Sequence, residues 1–322
     1  MAQRSVTRQA LLARRGSNLI PPISRSGSGD GKGLTGRKTG IAMPFCYRRP
    51  MRTLLMPLIL VALATPAVAQ DAQDAPEGYR LVWADEFSTP GLPDPANWTY
   101  DTKANRTGWY NNERQYYSAD RLENARVEDG NLVIEARRET PDAPDSGGQA
   151  YTSARLLSRQ SWTYGIYEIR ARIPCSRGTW PAIWMLPVAL ESWPEDGEID
   201  IMEHVGHRPG IVHGTVHTGA YNHVAGTQRG AEIAVPDACD AFHRYQTRWT
   251  PEAVVFAIDD DEFYRFENDG TRTKATWPFD VPFRLILNVA VGGDWGGAEG
   301  VDDTAFPQAM EIDYVRVWQP LP

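Results

Sequence analysis

The feature that most constrains the fold of this chain is a two-residue alternation of apolar and charged side chains. From Tyr164 to Ile173, apolar residues alternate with Glu168, Arg170 and Arg172. Successive side chains of a β-strand point to opposite faces, so this segment predicts a strand with one buried face. Similar segments recur along the chain, no long stretch has helical periodicity, and 28 Gly with 24 Pro supply turns. The pattern therefore predicts one large all-β sandwich.

The first 69 residues differ in composition from the rest and predict segments outside the sandwich. Residues 1–50 are rich in Arg, Ser and Gly, which predicts a disordered or mis-assigned N-terminal extension. Residues 51–69 combine a charged start, a short apolar run and Ala67-Val68-Ala69, which is the pattern of a cleavable signal peptide. An uncleaved anchor and a twin-arginine signal at Arg48-Arg49 are the alternatives.

The rest of the chain then divides into an acidic linker, residues 70–78, and a single domain, residues 79–320. The signal peptide predicts a secreted or periplasmic protein that has no stable membrane association after cleavage.

The charge of this domain limits its partners. Residues 1–69 hold eleven of the 33 Lys and Arg and one of the 41 acids, Asp30. The remainder has 22 basic and 40 acidic residues, a net charge of −18. Phosphate contacts need clustered basic side chains, so nucleic acid and anionic membrane are disfavoured as partners. A neutral polysaccharide is compatible with this charge.

All 11 Trp lie between Trp83 and Trp318. Sugar rings present C–H faces that stack on aromatic planes, although a β-sandwich also buries Trp in its core. We expect about half of these Trp side chains to pack in the core and the rest to be available for sugar stacking.

Three carboxylates occur in the segment Glu198 to His204. On a regular strand Glu198 and Asp200 share a face, whereas Glu203 points to the other face because its offset is odd. One extra residue in a β-bulge would return Glu203 to the shared face. We predict that Met202 is this inserted residue. Two carboxyl groups about 5–5.5 Å apart are the catalytic pair of retaining glycosidases. A solvated acidic strand face is the alternative, and a metal site using Glu203, His204 or His207 is a weaker one.

Cys175 and Cys239 are the two cysteines of the predicted mature domain. In a secreted protein they form one disulfide, or else they are two separate small apolar residues.

The segment Glu198-Ile199-Asp200-Ile201-Met202-Glu203 resembles the E-x-D-x-x-E signature of glycoside hydrolase family 16. The extra residue is similar to the laminarinase-like (endo-β-1,3-glucanase) branch, whereas lichenases typically carry E-x-D-x-E. Further segments resemble the same family over about Tyr79 to Trp318: 83–87, 111–117, 153–156, 178–186, 287–293 and 313–317.

This resemblance implies a β-jelly-roll sandwich of two curved antiparallel sheets, similar to concanavalin A, with a concave substrate cleft. It implies a retaining mechanism in which Glu198 is the nucleophile, Glu203 is the acid/base and Asp200 assists. No cofactor is implied for catalysis. A structural Ca²⁺ is implied at the backbone carbonyls of Glu86 and Gly130 and the carboxylate of Asp313.

The resemblance also implies side chains that contact the sugar: Asn112, Arg155, Trp180, Trp184, Trp193 and His217. Core packing is the alternative for Trp180 and Trp184, and a surface ion pair is the alternative for Arg155. His213 shares a strand face with His217 and is interpreted as structural.

The expected activity is cleavage of internal β-1,3 linkages in a laminarin-type β-glucan by a monomeric enzyme. A β-1,3-1,4-glucanase or a galactanase of the same family is the alternative, and the acidic domain disfavours sulfated galactans. A non-catalytic β-glucan-binding protein is the third alternative, which the presence of both Glu198 and Glu203 disfavours.

Overall fold

The computed structural model describes residues 75–271 and 273–322. The predicted extension at 1–50, the predicted signal peptide at 51–69 and the linker as far as residue 74 lie outside the described residues. Within the described ranges, no helix has both the length and the apolar character that a bilayer crossing requires.

The described residues form seventeen strands and one short 3₁₀ turn. In chain order they are β1 Tyr79–Asp85, β2 Trp98–Tyr100, the 3₁₀ turn Tyr110–Asn112, β3 Gln115–Tyr117, β4 Ala125–Glu128, β5 Asn131–Arg138, β6 Tyr151–Ser153, β7 Arg155–Ser158, β8 Gly165–Arg172, β9 Thr179–Pro187, β10 Glu198–His204, β11 Ile211–His217, β12 Arg229–Ala234, β13 His243–Trp249, β14 Ala253–Ile258, β15 Asp261–Glu267, β16 Phe283–Val291 and β17 Gln308–Pro320.

Two sheets contain these strands. The larger sheet has ten strands in the order β15-β14-β13-β8-β17-β5-β6-β3, with β1 paired to β17 and β4 paired to β5. The smaller sheet has seven strands in the order β12-β11-β10-β9-β16-β7-β2. Neighbouring strands are antiparallel except for β3 and β6, which are parallel. The prediction of an all-β fold with two antiparallel sheets is confirmed, with this one parallel pair as the exception.

The core lies between the two sheets and follows the two-residue alternation of the strands. Tyr167 and Ile169 of β8 are fully buried on one side, and Ile183 and Met185 of β9 are fully buried on the other. Each such side chain contributes about 1.5–3 kcal/mol when it is removed from water. The polar side chains of β9 and β10 consequently lie on the outer face of the seven-stranded sheet.

The Trp side chains divide nearly as expected between core and surface. Six of them are buried, and the other five are partly exposed. Four of these five lie near the acidic segment of β10: Trp180, Trp184, Trp193 and Trp295.

A disulfide joins Cys175 and Cys239, whose Cα atoms are 5.7 Å apart. It connects the segment after β8 to the segment before β13. The same Sγ of Cys175 lies 3.6 Å from Nε2 of His204 at the end of β10. The structure therefore agrees with the disulfide and not with two separate apolar cysteines.

Candidate active site

The acidic strand β10 contains the β-bulge that the parity of its carboxylates requires. Asp200 pairs with Trp184 of β9, whereas Glu203 pairs with Ala182, so β10 has one more residue than β9 over this interval. Met202 pairs with Ile183, which leaves Ile201 as the residue without a partner on β9. The predicted bulge is confirmed, but our choice of Met202 as the inserted residue is wrong. Ile201 and Met202 are both buried in the core, which is why the parity change turns Glu203 outward.

Glycine occupies the position of β11 that faces this bulge. Asp200 pairs with Thr215 and Glu203 pairs with His213, so Gly214 alone lies between them. A Cβ atom on Gly214 would be 2.8 Å from a ring carbon of Phe263, which is too close for an alanine without movement of the ring. The core is therefore closely packed behind the acidic segment of β10.

Glu203 accepts a hydrogen bond of 3.0 Å from the indole Nε1 of Trp180 on β9. The pKa of Glu203 is raised from its ordinary value of 4.5 to about 8, mainly by burial and in smaller part by the negative charge of Asp200. His217 and the Trp180 hydrogen bond oppose this shift of the pKa. Glu203 consequently holds a proton at neutral pH.

Glu198 lies at the start of β10 and has two partners on the outer face. Its Oε2 accepts a hydrogen bond of 3.1 Å from the indole Nε1 of Trp193, and its Oε1 lies 3.8 Å from Nε2 of His217. Burial raises the pKa of Glu198 well above its usual range, and the nearby Asp200 carboxyl adds to this effect. His217 and the Trp193 hydrogen bond act in the opposite direction on the Glu198 pKa.

Asp200 lies between the two glutamates and is 3% exposed. Its Oδ2 is 3.3 Å from Nε2 of His217. Burial raises the pKa of Asp200 well above its usual range, and a hydrogen bond with Glu198 partly counters this shift. The Glu198 and Asp200 carboxyls thus form a buried pair that strongly resists double ionisation.

A buried carboxylate fixes the loop that presents Trp193. Asp196 is 5% exposed, and its Oδ2 accepts 2.6 Å hydrogen bonds from the backbone N–H groups of Glu191 and Ser192. Its other oxygen pairs with the ammonium group of Lys274. These contacts hold both ends of the turn around Trp193, whose indole reaches Glu198.

The Arg155 side chain is buried and packs against two Trp rings. The alternative of an ion pair on the surface is therefore wrong. Its guanidinium carbon lies 4.7 Å from the ring centre of Trp184 and 5.1 Å from that of Trp109. Its Nε is 3.3 Å from Oδ2 of Asp101, and both side chains are about one-tenth exposed. The ion pair is real, but it lies below the surface beside Trp184.

Trp184 lies on the outer face of β9 as its spacing predicts, and its indole edge has a polar partner. Its Nε1 donates a 2.7 Å hydrogen bond to Oδ1 of Asn288 on β16. Asn288 in turn donates a 3.1 Å hydrogen bond to the hydroxyl of Tyr117. This chain of bonds fixes the plane of the Trp184 ring, and core packing is excluded for Trp180 and Trp184 because both remain partly exposed.

The Asn112 side chain has a partner of its own. The residue is exposed, has a φ of 56°, and donates a 2.7 Å hydrogen bond to Asp294. A sugar contact of Asn112 therefore stays a prediction.

Three side chains of this face were not predicted from the sequence. The charge of Glu113 raises the pKa of Glu203, and Asn288 holds Trp184. Trp295 packs edge-on against Trp180, with ring centres 5.4 Å apart, and against His213 at 4.9 Å. Glu113 and Asn288 lie in segments that carry the family resemblance, so that signal was available, whereas Trp295 lies in a loop without a pattern.

One of the three predicted calcium ligands has another partner. The Asp313 carboxylate forms an ion pair with Arg170. Ca²⁺ takes six to eight oxygen ligands, and the predicted set supplies three, two of which are the backbone carbonyls of Glu86 and Gly130. A structural calcium at these residues therefore stays a prediction.

A pair of carboxyl groups on the aromatic-lined outer face of a β-sandwich is the arrangement that a glycoside hydrolase uses. The family model for glycosyl hydrolases family 16 matches residues 112–316. The chain therefore belongs to this family, and its two sheets are those of the predicted jelly roll.

Individual relatives agree with this assignment. A β-glucanase from Rhodothermus marinus is 51% identical over 287 residues, which cover 86% of this chain and 98% of that protein. The crystal structure of a laminarinase from Rhodothermus marinus is 55% identical with a TM-score of 0.71, covering 76% of this chain and 98% of that one. A variant of a non-specific endo-β-1,3(4)-glucanase was co-crystallised with 1,3-β-D-cellotriosyl-glucose and presents 1,3-β-D-cellobiosyl-glucose at its active site. It is 52% identical with a TM-score of 0.74, covering 76% of this chain and 96% of that one.

Proposed function

We propose that this protein is a retaining endo-β-1,3-glucanase that acts on laminarin-type β-glucan. The single observation that carries the proposal is the pair of partly buried glutamates on β10, each held by a different indole on the outer sheet face. The names of the similar β-glucanase and laminarinase support the substrate class.

In the proposed first step, the Glu198 carboxylate attacks the anomeric carbon while the bond to the leaving oxygen breaks. Glu203 donates its proton to that oxygen, a role that suits a carboxyl group with a pKa of about 8. In the second step, Glu203 accepts a proton from water, and the water oxygen displaces Glu198 from the same carbon. Attack twice on one carbon retains the anomeric configuration.

Asp200 and His217 assist this reaction by controlling where the proton of the buried pair resides. When Asp200 holds the proton, it donates a hydrogen bond to Glu198 and leaves the negative charge on the nucleophile. His217 lies within 3.8 Å of Glu198 and 3.3 Å of Asp200, so its positive form favours that charge. The chemistry is carried by these side chains and needs no catalytic cofactor.

Sugar contacts in this proposal involve the partly exposed rings of Trp180, Trp184 and Trp193, which present apolar surface beside the acids. Arg155 keeps a guanidinium edge near Trp184, where it binds a sugar hydroxyl. Asn112 contributes only if its bond to Asp294 opens.

Mixed-linkage β-1,3-1,4-glucan is the second candidate substrate. It is favoured by the similarity to the non-specific endo-β-1,3(4)-glucanase that binds 1,3-β-D-cellobiosyl-glucose. The catalytic domain in this proposal spans residues 79–320 and acts as a monomer. The protein is secreted or periplasmic, because residues 51–69 have the pattern of a signal peptide.

Release of reducing sugar from laminarin tests the proposal. The wild type and Glu232→Gln, a change of an exposed glutamate paired with Arg208, are expected to release sugar equally. Glu198→Gln is expected to release none. Equal release by Glu198→Gln would exclude the nucleophile, and binding without products by the wild type would support a glucan-binding protein. Proton NMR of fresh products should show the β-anomer first, and the α-anomer first would contradict retention.

A further inference from the structure

Three side chains around the nucleophile have the composition and spacing of a transition-metal site. Within the described ranges, Glu198, Asp200 and His217 are the one group of His, Cys, Asp or Glu side chains that satisfies metal-ligand spacing. Their ligand atoms all lie within 4.8 Å of one another. They come from two neighbouring strands, β10 and β11, in which Glu198 pairs directly with His217.

The distances within this group are compatible with a zinc site. Zn–N and Zn–O bonds of about 2.0–2.2 Å in a tetrahedral site place ligand atoms about 3.4 Å apart. Nε2 of His217 is 3.3 Å from Oδ2 of Asp200 and 3.8 Å from Oε1 of Glu198, and the ligand atoms of the two acids lie within 4.8 Å of each other. His217 and Asp200 are therefore already at the spacing of zinc ligands, and Glu198 reaches the same ion by adjusting its side chain.

A buried oxygen without a hydrogen bond is the second, independent observation. Asp200 is only 3% exposed, and its Oδ2 atom is buried without a hydrogen-bond partner. Such an atom costs free energy until it gains a partner. It is aimed at Nε2 of His217, the nitrogen that also faces Glu198.

The remaining contacts of Glu198 leave its inner oxygen available. Trp193 donates its hydrogen bond to Oε2 of Glu198, whereas Oε1 faces His217. The ion therefore takes Oε1 while Trp193 keeps Oε2.

We infer that Glu198, Asp200 and His217 bind a Zn²⁺-class divalent cation, which inhibits the enzyme by occupying its nucleophile. One imidazole and two carboxylates suit Zn²⁺ and Co²⁺, whereas Ca²⁺ needs six to eight oxygen ligands. Water takes the fourth position. A metal ion bonded to Glu198 withdraws negative charge from the carboxylate, so that the carboxylate attacks the sugar less readily. The binding itself rests on the geometry of the three side chains, and only the inhibition rests on the proposed function.

Isothermal titration of the full chain with ZnCl₂ in a non-chelating buffer tests the binding. We expect one ion per chain in the wild type and at least tenfold weaker binding in Asp200→Asn and in His217→Gln. His243→Gln is the matched control, since His243 lies on β13 of the other sheet, between Asp237 and Asp259 at 3.2 and 2.6 Å. Its affinity is expected to equal that of the wild type. Zinc heat that persists in both site variants, or that disappears in His243→Gln, would overturn the inference.

Co²⁺ gives a readout that does not depend on heat or activity. The wild type is expected to show visible absorption bands of four-coordinate Co²⁺, and folded Asp200→Asn, as judged by its circular dichroism, is expected to lack them. If Asp200→Asn does not fold, the same comparison with His217→Gln decides the point. Bands of equal intensity in a folded site variant would overturn the inference.

Inhibition is then measured on laminarin. Zn²⁺ is expected to lower hydrolysis competitively and EDTA to restore it. Zinc binding at the site without laminarin hydrolysis would contradict the proposed function alone, whereas hydrolysis without zinc binding would contradict this inference alone.

Discussion

The indole Nε1 of Trp180 donates a 3.0 Å hydrogen bond to Oε1 of Glu203. Trp180 lies on β9, two residues from Ala182, which pairs with Glu203 on β10. The hydrogen bond favours the ionised form of Glu203, while burial favours the neutral form. Burial has the larger effect, because the pKa rises to about 8. The indole therefore limits how far burial shifts the pKa of the proposed acid.

We expect the alkaline limb of the pH profile of kcat/KM on laminarin to lie near pH 8, where free Glu203 loses its proton. Trp180→Phe removes the hydrogen bond that lowers this pKa, so the limb is expected to move to higher pH. Trp184→Phe is the control, since the Trp184 indole bonds to Asn288 and not to an acid. Movement of the limb to lower pH in Trp180→Phe would contradict this account.

Glu203→Gln is expected to reduce laminarin hydrolysis by about 10²–10⁴-fold, because the leaving oxygen then receives no proton. A nitrophenyl laminaribioside has a leaving group that needs no proton, so the first step on this substrate is expected to survive. A burst of nitrophenol in stopped-flow absorbance measures that step. Glu198→Gln is expected to give no burst, and a burst from it would reverse the assigned roles.

The free energy of unfolding is expected to fall as pH rises from 4.5 to 8. Folded Glu203 binds its proton more tightly than unfolded Glu203, so the unfolded state loses the proton first and gains relative stability over this range. Glu203→Gln removes this penalty. We expect it to be more stable than the wild type by about 1–3 kcal/mol at pH 7.5 and nearly equal at pH 4. Thermal melting at the two pH values is the measurement, and a gain that is larger at pH 4 contradicts it.

Asp196→Asn is expected to lower kcat/KM about tenfold, because a neutral amide binds Lys274 and the Glu191 and Ser192 N–H groups less strongly. The effect is expected to act through Trp193. A double-mutant cycle with Trp193→Phe should therefore be non-additive, with the double variant little worse than Trp193→Phe. Additive losses would show that Asp196 acts independently of that indole.

The two-residue alternation was sufficient to predict the sheets, and the parity of the acids was sufficient to predict the bulge. The parity of the acids did not indicate whether Ile201 or Met202 is the inserted residue, since both side chains are apolar and both are buried in the core. Only the pairing with Ile183 of β9 distinguishes them. That pairing is a relation between strands, which a pattern along one strand does not contain.

The contacts that support the site were unpredictable for the same reason. Asp196 and Lys274 are 78 residues apart in the chain, and Trp184 and Asn288 are 104 apart. Asn112 was assigned to the sugar from its place in a motif, but its bond to Asp294 spans 182 residues. Residue types indicated the chemistry, while sheet pairing and loop packing decided which side chains meet.

The bulge also has an evolutionary consequence. Removing Ile201 leaves a regular strand, Glu-Ile-Asp-Met-Glu, in which all three acids share one face by simple alternation. Met202 would keep its place opposite Ile183, and Glu203 would keep its place opposite Ala182. The E-x-D-x-x-E and E-x-D-x-E forms of the segment are therefore separated by the gain or loss of one codon. A series of point substitutions that kept the length of the strand would instead have to pass through proteins with a misdirected acid.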